Sequence, residues 1–197
     1  MSEKKKREPR STSWVMMLYP ESCNPNWYQI LDDLHISFAH SPLHDKDVNA
    51  DGEIKKAHYH VLLIFESLKS LDQLKEIGDK VGCAGNPQIA LSVRGTVRYF
   101  VHKDNPEKYQ YNESEIVTHG VNIKDLLQLS SSEAHYILSD ILQFCRDNSI
   151  MDFNVLVDYA LLHNTEWFDL LCERYTMFLT AYFKSKYNSS KSKDEGN

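Results

Sequence analysis

Hydrophobic and polar positions follow two different rhythms along this chain, and the change falls near residue 120. Trp14, Val15, Met16, Met17, Leu18 and Tyr19 form a short, nearly unbroken apolar run stopped by Pro20, which predicts a buried central strand. Asn24-Pro25 opens a helix, with Pro25 at its first position and Trp27, Ile30, Leu31 and Leu34 at helical spacing. A second strand is expected over 36–39, then a polar loop over 44–55 rich in Asp, Asn and Gly. From 57 to 65 the alternation is strict. His58, His60, Leu62 and Ile64 fall on one face, and Tyr59, Val61, Leu63 and Phe65 on the other. Ser70 to Val81 reads as a helix with Leu71, Leu74, Ile77 and Val81 along one stripe, ended by Gly82 and Gly85. Residues 88–93 read as strand, and 96–102 fit either a short helix or an extended segment. The order strand, helix, strand, strand, helix, strand is the split βαβ pattern of an antiparallel α+β sheet.

Beyond Gly120 strand signals stop. Ser130 and Glu133 form a capping box ahead of a helix to Arg146. Ser149 and Asp152 open a second helix to about His163, and Thr165 a third that runs through Phe183. The predicted organisation is a flexible basic arm at 1–12, an α+β domain at 13–122, an all-helical domain at 127–185 and a disordered polar tail at 186–197. A helical domain that small buries only about 60% of its chain's surface. Its Trp167, Phe168, Tyr175, Phe178, Tyr182 and Phe183 exceed what three short helices hide. Packing on the N-terminal domain would cover them; self-association is the more economical expectation.

Charge narrows the function. The 197 residues carry a net charge of −6 and a pI near 5.8. That excludes a protein that coats nucleic acid by bulk positive charge and leaves room for a local basic patch. Up to Gly120 there are 15 Lys and Arg against 17 Asp and Glu, and beyond it 7 against 11, so most of the excess acid lies in the helical part. No apolar run approaches the roughly 20 residues of a membrane span, and residues 1–12 lack the apolar stretch of a secretory leader. Cys23, Cys83, Cys145 and Cys172 are far apart, with no C-x-x-C pair. Neither a zinc knuckle nor a disulfide framework is indicated, and a reducing, cytoplasmic setting is expected.

The informative triplet is His58-Tyr59-His60. On a strand the two imidazoles share a face with Cβ atoms about 7 Å apart, close enough to hold one metal ion. A strand histidine pair alone is more often half-buried polar surface, but His44-Asp45-Lys46-Asp47 adds an imidazole and two carboxylates just upstream. Together they make a mixed nitrogen and oxygen site suited to a divalent transition ion with positions left open. There is no G-x-S-x-G elbow and no Walker A loop. The stretch from Arg94 to His102 supplies one tyrosine, Tyr99, with Arg98 and His102 close in sequence. Most of the 11 tyrosines serve packing, and a phenol with a pKa near about 10 needs a cation to favour the phenolate.

Ser41-Pro42-Leu43-His44-Asp45-Lys46-Asp47, Lys55-Lys56-Ala57-His58-Tyr59-His60-Val61 and Arg98-Tyr99-Phe100-Val101-His102 resemble the metal and tyrosine motifs of the initiator Rep proteins of rolling-circle plasmids. The likeness is to the RepB group of the streptococcal plasmid pMV158, within the HUH endonucleases, and it extends to Leu18-Tyr19-Pro20-Glu21-Ser22 and to the helical C-terminal domain. The resemblance implies a five-stranded antiparallel sheet flanked by helices, metal ligands His44, Asp47, His58 and His60, and the nucleophile Tyr99. Asp45 is then left to orient a histidine from behind the ligands. It implies Mn²⁺, with Mg²⁺ as the alternative, although ligand softness alone would admit Zn²⁺. The reaction implied is a site-specific nick at a plasmid double-strand origin, single-stranded at the cut, that leaves a 5′-phosphotyrosyl link and a 3′-OH primer. The acceptor of the tyrosine proton stays open among a metal-bound water, His102 and another residue. The resemblance further implies a hexameric ring, assembled by the helical domain, that would supply a second Tyr99 for termination, and a host helicase and DNA polymerase that would complete replication. Candidate DNA contacts are Lys55, Lys56, Arg94, Arg98, Lys103 and Lys108. The competing readings are a relaxase or transposase of the same chemistry, a non-catalytic DNA-binding repressor with a structural metal, and a hydrolase of small phosphodiesters in which Tyr99 only packs.

Overall fold

The computed structural model describes residues 8–49 and 51–194, the last six of these by backbone alone. Contacts divide the chain after Gln128 into two compact units. The first is built on an antiparallel open sheet of five strands, β1 (Arg10–Leu18), β2 (Ser37–His40), β3 (Tyr59–Ser70), β4 (Gln88–Ile89) and β5 (Val117–His119), in the order β4-β1-β3-β2-β5. The α+β class and the helical C-terminal region follow the pattern of the sequence.

β3 sits at the centre because both its faces are apolar. Val61 and Leu63 enter one core with Trp14, Met16, Phe38, Leu31 of helix α1 (Trp27–Asp33) and Leu74 of α2 (Leu71–Val81). Leu62 enters the other with Ala39, Val97 of α3 (Val93–Tyr99), Phe100, and Leu126 of α4 (Ile123–Leu126). The two-residue period thus places helices on both faces of the sheet. Helix α2 starts with a complete capping box between Ser70 and Gln73 and stops at Gly82, whose φ is 74°. A Cβ at Gly82 would lie 2.8 Å from the Cα of Cys23, so this turn takes only glycine.

Several boundaries differ from the sequence pattern. β1 begins at Arg10, inside the segment expected to be a mobile arm, because Arg10 and Ser11 pair with Ser70 and Lys69 on a β3 that runs five residues past Phe65. Residues 1–7 of that arm lie outside the described part of the chain. Pro25 sits in a turn ahead of α1, where the Asn24 Oδ1 accepts the Asn26 N–H at 2.9 Å and the helix starts at Trp27. The strand expected over 88–93 is only two residues long. Ser92 turns the chain into α3 by accepting the Gly95 N–H at 2.9 Å, so 96–99 are helix and 100–102 a turn. β5 is too short for its alternation to register.

The second unit contains α5 (Ser131–Asp147), α6 (Phe153–His163), α7 (Thr165–Leu170), a π-helical turn at Leu171–Tyr175 and α8 (Thr176–Asp194). The Ser130–Glu133 capping box is present. Its core holds Ile141, Cys145, Leu156, Leu170, Leu171, Leu179 and Phe183, with Trp167, Phe168, Tyr175 and Tyr182 packed against it. The unit therefore partly or fully covers five of the six aromatics expected to stay open, and leaves Phe178 49% exposed. Leu162 and Met177 stay 75% and 88% exposed. The backbone is helical to Asp194, through most of the segment expected to be disordered, since no Gly or Pro interrupts it before Gly196 and the Lys186 ammonium donates to the Ile150 carbonyl at 3.0 Å. No described helix is long and apolar enough to cross a membrane.

Candidate metal and nucleophile site

The site forms where the loop after β2 folds back along the start of β3. His44 and His58 make an antiparallel bridge, and the buried Ser41 hydroxyl accepts the His60 N–H at 3.0 Å. This pairing brings three imidazoles together. Their ring centroids lie 5.3 Å (His44–His58), 5.1 Å (His44–His60) and 4.9 Å (His58–His60) apart, with one nitrogen from each within 4.8 Å of the others.

Backbone carbonyls fix which nitrogen is free on two of the rings. The His44 Nε2 faces the Phe100 carbonyl at 2.8 Å, and the His58 Nδ1 faces the Lys56 carbonyl at 2.8 Å. A nitrogen facing a carbonyl carries the proton, so His44 Nδ1 and His58 Nε2 are left with lone pairs. His44 Nδ1 is buried without a hydrogen-bond partner and lies 3.5 Å from the Asp47 Oδ2. Burial lowers the His44 pKa, opposed by the Phe100 hydrogen bond and the Asp47 carboxylate. Burial also pushes His60 down to about 3, helped by repulsion from His44, His58, His102 and Lys108. Neutral imidazoles, a carboxylate and an orphaned buried nitrogen fit a divalent cation, whose ligands must be deprotonated.

Tyr99 ends α3 beside this cluster. Its hydroxyl accepts a hydrogen bond from the Lys108 ammonium at 3.0 Å, which also lies 4.5 Å from the ring centroid. The Tyr99 ring meets His60 edge-on at 5.3 Å. Tyr99, His58, His60, Asp47, Lys55 and Lys56 share a cleft of about 240 Å³.

Of the residues singled out in the sequence, the fold brings together His44, Asp47, His58, His60 and Tyr99, with Lys55 and Lys56 at the cleft and Lys108 on the tyrosine. Arg98 instead pairs with Asp104, Lys103 with Glu113 at 2.8 Å, and the Arg94 Nε donates to the Leu127 carbonyl at 3.1 Å. Asp45 is exposed and outside the cluster. The ring-orienting role foreseen for it falls to the Phe100 and Lys56 carbonyls.

Two residues have a place in the site that the pattern did not give them. Tyr111 stacks on His44 at 4.5 Å and 7°, donates its hydroxyl to the Asp47 Oδ1 at 3.3 Å, and accepts the Lys46 N–H at 3.0 Å. Burial, reinforced by the Asp47 carboxylate, raises its pKa to about 12, so it remains a donor at neutral pH. His102, foreseen as a proton acceptor for Tyr99, is fully buried and turned toward Asp47, with its Nε2 3.6 Å from the Asp47 Oδ2. Both stand in the irregular stretch after α3, where no period marks which side chains point inward.

Residues 5–124 match the family described as plasmid replication protein, origin binding domain, and residues 131–187 match the C-terminal domain of replication protein RepB. The chain is 42% identical over 181 residues to replication protein RepB of Lactiplantibacillus plantarum, covering 90% of this chain and 82% of that one. It is 37% identical over 189 residues to a replication protein of Staphylococcus aureus, covering 94% of each. The chain belongs to the RepB-type plasmid replication initiators, and its first unit is their origin-binding domain.

Proposed function

We propose that this initiator nicks one strand of its plasmid's double-strand origin by transesterification, with Tyr99 as nucleophile. The observation that carries the reading is the Tyr99 hydroxyl, held by the Lys108 ammonium at the cleft that Asp47, His58 and His60 line, with the His44 ring buried behind them. Lys108 occupies one lone pair of the Tyr99 Oη, which leaves the phenolic proton to depart into the cleft as the oxygen attacks phosphorus. The ammonium then offsets negative charge as it develops on the Oη. The P–O3′ bond breaks, the 3′ oxygen takes up a proton, and the 5′ phosphate remains on Tyr99. The ester energy is conserved, so attack by a DNA 3′-OH reverses the step without ATP.

His44, Asp47, His58 and His60 would hold a divalent ion, Mn²⁺ before Mg²⁺. When bound, it supplies positive charge to the scissile phosphate. Lys55 and Lys56 lie where the flanking phosphates would pass. The exposed Leu162 and Met177 of the helical unit fit self-association into a ring, taken by family likeness to be hexameric, that offers a second Tyr99 for termination. A host helicase and DNA polymerase, in the cytoplasm of the plasmid-bearing cell, would extend the 3′-OH. The test is incubation with supercoiled plasmid carrying its own origin. Open circles cut at one site with Mn²⁺, and none after chelation, support the reading; the absence of a nick in either metal contradicts it.

A further inference from the structure

A second cleft adjoins the polar one. Its volume is about 420 Å³, within the range of small-molecule pockets (about 300–1,000 Å³), and the two clefts share His60 and Tyr99. Their walls differ in character. Asp47, Lys55 and Lys56 line the first; Val15, Ile89, Ala90 and Phe100 line the second, and among the described residues no Lys, Arg, Asp or Glu does. The sheet register accounts for the position of this apolar cleft. Val15 pairs with Gln88 on one side and Leu62 on the other, and Met17 pairs with His60, so the two-residue period puts Gln88, Val15 and His60 on the face where Val97 of α3 packs on Leu62. β4 ends at Ile89, and the chain passes through Leu91 and Ser92 into α3, where Gly95 brings no side chain and Thr96 a short one. Two exposed side chains stand at the cleft. Leu91 is 97% exposed although it borders apolar walls. Gln88 carries a carboxamide, with the donor and acceptor that can pair with the edge of a base.

Single-stranded DNA has the same two characters side by side, a charged backbone and flat uncharged bases. We propose that the apolar cleft takes the base of the nucleotide directly 3′ of the cut, the one that stays on Tyr99, with Leu91 packed against the base and Gln88 bonded to its edge. The inference rests on the nicking reading given above. The two clefts meet at Tyr99, so a scissile phosphate at the tyrosine hydroxyl has a basic surface on one side for the backbone and an apolar one on the other for a base. In an in-line displacement the leaving 3′ oxygen lies across phosphorus from the attacking Oη, which carries the released nucleotide away from the tyrosine. A base lodged beside the Tyr99 ring therefore belongs to the retained nucleotide.

The test uses the full chain, Mn²⁺ and end-labelled single-stranded oligonucleotides spanning the nick, intact or abasic at one nucleotide. An abasic site directly 3′ of the cut should lower the initial rate of cleavage at least about tenfold, the scale of one stacked base, and one directly 5′ of it much less. Leu91→Ser and Gln88→Ala change exposed positions, where the fold should survive. Each should lower the rate on the intact strand, and neither should add a loss on the strand abasic 3′ of the cut, so that protein and DNA changes couple in a double-mutant cycle. Losses that simply add, or an effect confined to the 5′ side, would overturn the inference and leave the cleft to another occupant, such as a second copy of this chain. A wild type that cuts intact and abasic strands alike sinks this inference alone, whereas a wild type that cuts none of them sinks the nicking reading with it.

Discussion

The chemistry of this chain turns on a few contacts made by single atoms. The Lys108 ammonium on the Tyr99 hydroxyl is the most direct. Lys108→Met keeps the aliphatic stem against the ring and removes the charge. The expected result is a nicking rate lower by about a hundredfold, the scale of removing one donor from a developing anion, with binding to a single-stranded origin oligonucleotide little changed. Equal losses in rate and binding would return Lys108 to the role of a simple phosphate contact. Tyr111→Phe removes one hydroxyl from Asp47 while keeping the stack on His44. Mn²⁺ affinity measured by titration should fall about 10-fold to 100-fold, as for other groups that orient a ligand. The histidine cluster was legible in the sequence because its residue types and spacing are unusual, whereas Tyr99, one of 11 tyrosines, was singled out by the likeness of its motif. Tyr111 and the orientation of His102 were not, because a stretch without regular spacing carries them. The choice of Asp47 over Asp45 for the cluster is made by the turn in which Tyr111 binds the Lys46 N–H.

At the scale of elements, strong periodicity read true and weak periodicity did not. The alternation in β3 sorts Val61 and Leu63 from Leu62 into separate cores, and it puts His58 and His60 on one face, which positions the site. Gly82 ends α2 where the sequence placed it, and Ser70, read there as the first helical residue, is its N-cap. What the pattern missed are the three-residue strand β5, too short for a period to register, and the extension of β1 through polar Arg10 to Ser13, which comes from pairing with β3; β4 it made too long. Gly82 offers the sharpest check on this layer. Gly82→Ala combines a φ of 74° with a Cβ 2.8 Å from the Cys23 backbone, and urea unfolding should show a loss of at least about 1 kcal/mol. A change within error would mean the turn relaxes freely. Ser70→Ala should cost about 1 kcal/mol through the lost cap.

At the scale of the whole molecule, charge and protonation set the working conditions. A net charge of −6 leaves DNA binding to local contacts, so affinity for origin DNA should fall steeply as salt rises. The metal-free protein buries His40, His44 and His60 with pKa values lowered by burial, His60 to about 3. As pH falls below the ordinary histidine value near 6.5, the unfolded chain takes up protons that the folded one refuses. Stability is therefore full above about 6.5 and declines toward 3. Thermal melts with chelator should show the midpoint dropping from pH 7 to pH 5, and Mn²⁺ at pH 7 should raise it; a midpoint flat across that range would contradict the buried neutral cluster. The central claim is that Tyr99 carries the strand it cuts. It is tested most directly by incubating the protein with Mn²⁺ and a 3′-labelled single-stranded oligonucleotide spanning the nick, then digesting with trypsin and sequencing the labelled peptide by mass spectrometry. The account predicts a 5′-phosphotyrosyl adduct on Tyr99 that vanishes in Tyr99→Phe. Site-specific cleavage that persists in Tyr99→Phe, or an adduct on any other residue, would contradict it.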